Sequence, residues 1–183
     1  MSITYKFILS FILMIALTGV VAAKSKMERP IVKNVDLNRY IGTWYEIARF
    51  DHTFERNLVG VTATYTLLKN GKIQVLNQGY LNTLDGKHKK AKGIAKRVDP
   101  KVGGHLKVSF FRPFYADYFI MALDEQTYEW ALVGSKSMNY LWILSRKPQL
   151  DPVVVNNLIK KAQDLGYDTG KLIMVKQKVA GNK

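Results

Sequence analysis

From about position 62 to 145 the chain alternates apolar and polar side chains in short runs, with turn residues between the runs. Residues 62–68 (TATYTLL) are rich in β-branched and aromatic side chains, and Ile73–Leu81 (IQVLNQGYL) reads the same way. Between them stands Asn70-Gly71, the strongest two-residue hairpin signal. Asp85-Gly86 marks the next turn, ahead of a strand at 87–97. A loop with Asp99-Pro100 and Gly103-Gly104 follows, then strands at His105–Phe111, 118–123, 128–134 and 140–145. Runs of about 6–10 residues with turn signals every ~8–12 residues predict an antiparallel sandwich or barrel. Residues 44–54, counted as the first strand, bring the number to eight.

The period changes once. Asp151-Pro152 is an N-cap followed by proline at the first helical position. Val154, Val155, Leu158, Ile159, Ala162 and Leu165 then recur at helical spacing, Lys160 and Lys161 suit the negative end of the dipole, and Gly166 stops the helix. Residues 172–175 read as a short ninth strand. The fold class is therefore mainly β: an eight-stranded antiparallel barrel with one C-terminal α-helix outside it. Tyr65 and Asn77 fall on the parity that elsewhere faces inward. A filled core would place Val, Ile or Leu there, so the pattern points to a cavity, and an eight-stranded barrel is wide enough for one small ligand.

Composition narrows the chemistry. The 183 residues suit one domain, and 28 Lys+Arg against 14 Asp+Glu give a net charge of +14. Such an excess favours an anionic partner or surface. The chain has no cysteine, which removes disulfides, thiol nucleophiles and cysteine-ligated metals. The histidines, His52, His88 and His105, are scattered, so no metal site and no cofactor is expected.

Residues 1–23 have a basic start, an apolar run (FILSFILMIAL) and a small-residue end, the three parts of a secretory signal peptide. The expected location is exported, periplasmic or secreted. Leu17-Thr18-Gly19 matches the start of a bacterial lipoprotein box, but position 20 is Val where the acylated residue must be Cys, so no lipid anchor is expected. Residues 24–34 read as a basic, extended lead-in, 35–176 as the barrel domain and 177–183 as a basic tail.

Asn38-Arg39-Tyr40-Ile41-Gly42-Thr43-Trp44-Tyr45 resembles the lipocalin signature, a Gly-x-Trp at the start of the first strand. Leu141-Trp142-Ile143-Leu144-Ser145-Arg146 and the segment from Leu123-Asp124 to Val133 strengthen the match. Trp44–His52, Val108-Ser109-Phe110-Phe111 and Pro113-Phe114-Tyr115 are similar to the bacterial, apolipoprotein D-like lipocalins. The resemblance implies an up-and-down lipocalin barrel closed at its base by Gly42, Trp44 and Arg146, the guanidinium lying on the indole. It also implies a ligand site lined by Tyr65, Asn77, Phe110, Tyr118, Trp142 and Leu144. The implied ligand is a fatty acid, lysophospholipid or similar molecule, with a role in lipid transport or membrane maintenance. An acyl tail is expected deep between Trp142, Tyr65, Phe110 and Leu144, with its head at the open end.

Other features compete with this reading. Glu46 shares the parity of Trp44 and is expected as a paired structural group near the base. Lys87, Lys89, Lys90, Lys92, Lys96 and Arg97 are expected on a solvated sheet edge, or against the headgroups of an anionic membrane. Arg112-Pro113-Phe114-Tyr115 reads as a tight aromatic loop, at the mouth or against a membrane. A basic barrel binding single-stranded nucleic acid is an alternative, opposed by the signal segment and the strand number. A lipocalin-fold isomerase is another, opposed by the lack of any nucleophile–base spacing. The sequence leaves a homodimer open.

Overall fold

The computed structural model describes residues 29–99 and 101–178. The signal segment 1–23 with Val20, positions 24–28 of the lead-in, Pro100 and positions 179–183 of the tail lie outside the described residues. A one-turn helix α1 (Leu37–Tyr40) precedes strands β1 (Gly42–Arg49), β2 (Leu58–Leu67), β3 (Ile73–Leu81), β4 (His88–Arg97), β5 (His105–Phe111), β6 (Phe114–Leu123), β7 (Trp130–Gly134) and β8 (Leu141–Ser145). Helix α2 (Pro152–Asp164), a 3-10 turn (Thr169–Lys171) and β9 (Ile173–Met174) follow within the described residues.

Each strand pairs antiparallel with the next. β1 then pairs with β2 over 42–45 and with β8 over 45–49, which closes eight strands into a barrel. β9 joins β1 from outside through Ala48↔Met174 and Arg49↔Ile173. At the Asn70-Gly71 turn Gly71 has φ +75°, and Asn70 Oδ1 accepts from the Lys72 N–H at 3.1 Å.

Two apolar layers hold the molecule. Inside the barrel, Trp44, Ala63, Val75, Leu106, Ile120 and Val133 are buried with Leu37 and Tyr40 of α1. Outside it, Val155, Leu158 and Ala162 of α2 pack on Ile47, Met121, Leu132 and Ile143. Asp151 caps α2 as its spacing predicts, accepting from the Val153 N–H at 2.7 Å.

Several limits differ from the sequence reading. The first strand ends at Arg49 instead of 54, and the second starts at Leu58 instead of 62, because 51–57 fold as a loop across one end of the barrel. The sixth starts at Phe114, so Phe114 and Tyr115, read as loop, are strand. The seventh starts at Trp130, since Tyr128 with φ +58° belongs to the preceding turn. β4 is an edge only in part: it pairs with β3 over 88–95 but with β5 only from Ile94 onward, so Lys89, Lys90 and Lys92 have a strand neighbour on one side, while Lys96 and Arg97 lie against β5.

Both flanking segments also join the fold. Val32 of the lead-in donates to Ile120 O and accepts from the Gly104 N–H, each at 2.9 Å. The β1–β2 ladder stops at Tyr45↔Thr62, leaving the Glu46 and Val61 carbonyls without strand partners. The Gln177 amide, read as the start of a tail, donates to both, at 2.7 and 2.9 Å.

Candidate functional site

The up-and-down order puts the β2–β3, β4–β5 and β6–β7 connections and α1 at one end of the barrel, and the β1–β2, β3–β4, β5–β6 and β7–β8 connections at the other. The first end is stoppered. Trp44 is fully buried, and its Nε1 donates to Tyr40 O at 2.8 Å. The Arg146 guanidinium carbon lies 3.9 Å from the indole centroid. Its Nη2 donates to Arg39 O (2.6 Å), Tyr40 O and Ile41 O (both 3.0 Å), Nη1 to Thr43 O (3.0 Å) and Nε to Tyr128 O (3.3 Å). One side chain thus ties α1, the start of β1 and the β6–β7 turn together. Gly42 has φ +98°, and a Cβ there would sit 3.3 Å from Arg146 Nη1, so the bend that delivers Trp44 under Arg146 favours glycine.

Above this plug lies a cavity of about 240 Å³, open toward the other end. Tyr65, Asn77, Phe110, Tyr118, Trp142 and Leu144 all lie on its wall. Ala63, Val75, Val108, Ala116 and Val133 add apolar surface that parity alone does not distinguish from filled core. Phe110 reaches the interior because its neighbour across the wall is Gly93, where a Cβ would stand 2.9 Å from the ring. The floor is a relay of phenols, Tyr40 to Tyr118 at 2.7 Å and Tyr118 to Tyr65 at 3.0 Å, all held well above the usual tyrosine range by burial. Asn77 Oδ1 is buried without a hydrogen-bond partner.

Trp142 stands elsewhere than expected. β8 runs from the open end downward, so Trp142 is near the mouth and Leu144 deeper. Its Nε1 donates to Glu55 Oε2 at 3.2 Å, and its ring centroid lies 4.8 Å from that of His52. Glu55 belongs to the loop over the mouth and is not among the residues the sequence pattern singles out. Arg49 fastens that loop: its Nη2 donates to Glu55 O at 2.7 Å and Leu58 O at 3.3 Å, and its Nε lies 3.3 Å from Glu46 Oε2. Glu46 is therefore paired as expected, but with Arg49 at the mouth end of β1 rather than at the base. On a regular strand, residues 46 and 49 face opposite ways. The register slips between Glu46↔Leu144 and Ala48↔Ile143, and this bulge returns Arg49 to the side of Glu46. A sequence signal is present in the three-residue spacing of Glu46, Arg49, His52 and Glu55.

Two buried carboxyls share one guanidinium here. Burial, then the charge of Glu55, raises Glu46 well above the carboxylate range, and burial raises Glu55. His52 moves the other way, lowered from 6.5 to about 4 by burial and by Arg49. The unfolded chain thus takes up a proton near pH 6.5 that the folded protein refuses until about pH 4. This histidine's stabilisation is complete above pH 6.5 and is lost as pH falls to about 4. The raised Glu46 acts in the opposite sense, stabilising at low pH and losing that contribution as pH rises through its elevated pKa. His52→Gln isolates the first effect. Its thermal midpoint is expected to fall less steeply than the parent's between pH 6.5 and 4. Equal slopes would show that His52 protonates freely in the folded state.

A larger groove of about 620 Å³ runs outside the barrel between α2 and β9, lined by Leu150, Val155, Ile159 and Met174. It is a shallow surface trough. The interior cavity is lined by residues of seven barrel strands above a closed floor and is the better-formed site.

A stoppered antiparallel barrel with a mostly apolar cavity open at one end defines a protein that binds small hydrophobic molecules. The particular family follows from the comparisons: the Lipocalin-like domain matches residues 35–177, and the chain belongs to the lipocalins. It is 44% identical over 146 residues to the outer membrane lipoprotein Blc of Vibrio cholerae, covering 80% of this chain and 85% of that one. It is 34% identical over 157 residues to mouse apolipoprotein D, covering 81% and 80%. The structure of insecticyanin from the tobacco hornworm Manduca sexta shares the fold, with TM-score 0.65 at 21% identity, covering 84% and 86%.

Proposed function

We propose that the protein is an exported lipid carrier that holds one fatty acid, lysophospholipid or similar single-chain lipid in the barrel, in the service of membrane maintenance. The observation that carries this reading is the open cavity, whose wall is built largely from Ala63, Val75, Val108, Phe110, Val133 and Leu144 above a closed floor. The likeness to proteins named as outer membrane lipoproteins supports an address beside a membrane. The tail is assigned to the depth of the cavity over Tyr65 and Tyr118, and the head to the mouth near Trp142. Lys89 stands at the rim on the same strand face as Ala91 and Gly93, the register partners of cavity residues Asn77 and Val75. The acidic pair is engaged with Arg49 and Trp142, which suits a binding protein rather than a catalyst.

Native mass spectrometry of protein purified without detergent tests the reading. The expected spectrum shows one adduct with the mass of a single-chain lipid. Ligand-free protein that also takes up no added fatty acid of any length would overturn it.

A further inference from the structure

We propose that the open end of the barrel is a membrane-docking surface, with the tip of the β5–β6 hairpin entering the headgroup region of an anionic bilayer and the mouth facing the lipid. The proposal rests on the carrier reading and names the surface through which the carrier loads.

The hairpin tip stands free of the wall. β5 leaves β4 after Ser109↔Ile94, and β6 meets β7 only at Phe119↔Gly134, so residues 110–118 have a strand neighbour on the hairpin side alone. Phe111 and Phe114 pair across the turn and are 82% and 77% exposed, more than any other large apolar side chain among the described residues. Arg112 lies between them, also exposed. Phe54 on the β1–β2 loop is 59% exposed, and Tyr140 on the β7–β8 connection is 36% exposed. Every exposed large aromatic side chain among the described residues is therefore at the mouth, on three of its four connections. Phe54 and Tyr140 each stack on His52, which accounts for part of their surface. Phe111 and Phe114 belong to neither apolar layer of the fold, so packing does not explain an aromatic at either position. Aromatic rings are suited to the bilayer interface, where an apolar ring displaces water among headgroups.

Charge selects the occupant. Arg56, Lys87, Lys89, Arg112 and Lys136 stand exposed on the same four connections or the strand ends beside them. Asp51 and Asp85 are the exposed acids there; Asp51 and Arg56 neutralise each other at 2.9 Å, which leaves Lys87, Lys89, Arg112 and Lys136 against Asp85. A basic collar around aromatic tips complements acidic lipid and would repel a second copy presented mouth to mouth. The aromatics also form a broken ring around an opening, not a continuous groove for a peptide. A lipid leaving a bilayer into a mouth pressed against it exposes little of its chain to water, where each methylene is costly.

The test uses Phe111→Ser/Phe114→Ser and, separately, Phe111→Trp, in co-sedimentation with phosphatidylcholine vesicles with or without phosphatidylglycerol. The parent is expected to sediment with the phosphatidylglycerol vesicles. The double-serine variant should partition about tenfold less or weaker still, while its affinity for fatty acid in free solution stays unchanged. In the Phe111→Trp variant, the emission of the introduced indole should be quenched by lipids brominated close to the headgroup. Equal sedimentation of parent and double variant, or no quenching of the introduced indole, overturns the proposal. So does a loss of binding that merely follows a change from dimer to monomer. Vesicle binding without any cavity ligand would overturn the carrier reading and leave the docking surface standing, so the two fail separately.

Discussion

Arg146→Ala is expected to lower the stability of the barrel by about 2–4 kcal/mol, the range for removing a partly buried charged hydrogen-bonding group. The substitution removes a cation–π contact at 3.9 Å from the Trp44 ring and strips donors from five carbonyls, of Arg39, Tyr40, Ile41, Thr43 and Tyr128. The stacking alone is worth about 0.5–2 kcal/mol. Much of the remainder comes from carbonyls left at the floor without a partner. Arg146→Lys keeps the charge but loses the planar fork, so one ammonium cannot span α1, β1 and the β6–β7 turn. It should recover less than half of the loss. Urea denaturation followed by tryptophan fluorescence measures both variants. An unchanged midpoint for Arg146→Ala would mean that α1 closes the barrel without it.

Saturated fatty acids of increasing length are expected to bind with steadily rising affinity until the cavity is full. Each methylene taken from water contributes ~0.8 kcal/mol, about fourfold in affinity, so six added methylenes give on the order of a thousandfold. The rise should stop once the tail reaches the phenol floor of Tyr65 and Tyr118. Val108→Trp shifts that point. Val108 lies on the cavity wall and is only partly buried, so an indole there fills ligand space before it disturbs packing. The plateau should arrive several carbons earlier, with short-chain affinities little changed. Isothermal titration across the series provides the curve. Affinity independent of chain length would contradict an apolar tube.

Local rules are strong enough to make most of the scaffold legible in the sequence. Asn70-Gly71 specifies its hairpin because that turn needs a left-handed backbone, and Gly71 adopts one. Asp151-Pro152 with apolar residues at helical spacing specifies α2, and the structure caps it with the same aspartate. The inward parity of Tyr65 and Asn77 is readable because a strand alternates faces until a bulge intervenes.

The mouth departs from the sequence pattern where that regularity breaks. Residues 44–54 look like one strand because Tyr45, Ile47, Phe50 and Phe54 prolong the apolar pattern. The bulge after Glu46 and the turn after Arg49 have no local residue signal. A strand reading therefore passes over Glu55, whose three-residue spacing from Glu46, Arg49 and His52 is its one local trace, and Trp142 reads as deep when its ring is under the mouth loop. Lys87 to Arg97 reads as an edge, which holds as far as Gly93; that β5 covers the strand from Ile94 onward is decided by register and has no local signal.

The sequence by itself determined the strand and helix order, the closed β architecture and the inward parity of Tyr65 and Asn77, since each follows from period and turn chemistry within a few residues. Only the tertiary structure decided how high on the wall each residue stands, which carbonyls Arg146 and Gln177 satisfy, and that Glu46, Arg49, His52 and Glu55 converge at the mouth. Those outcomes depend on strand register, a bulge and contacts between segments as far apart as Glu46 and Gln177. Such contacts are set by barrel closure, a global constraint that no short window of sequence contains.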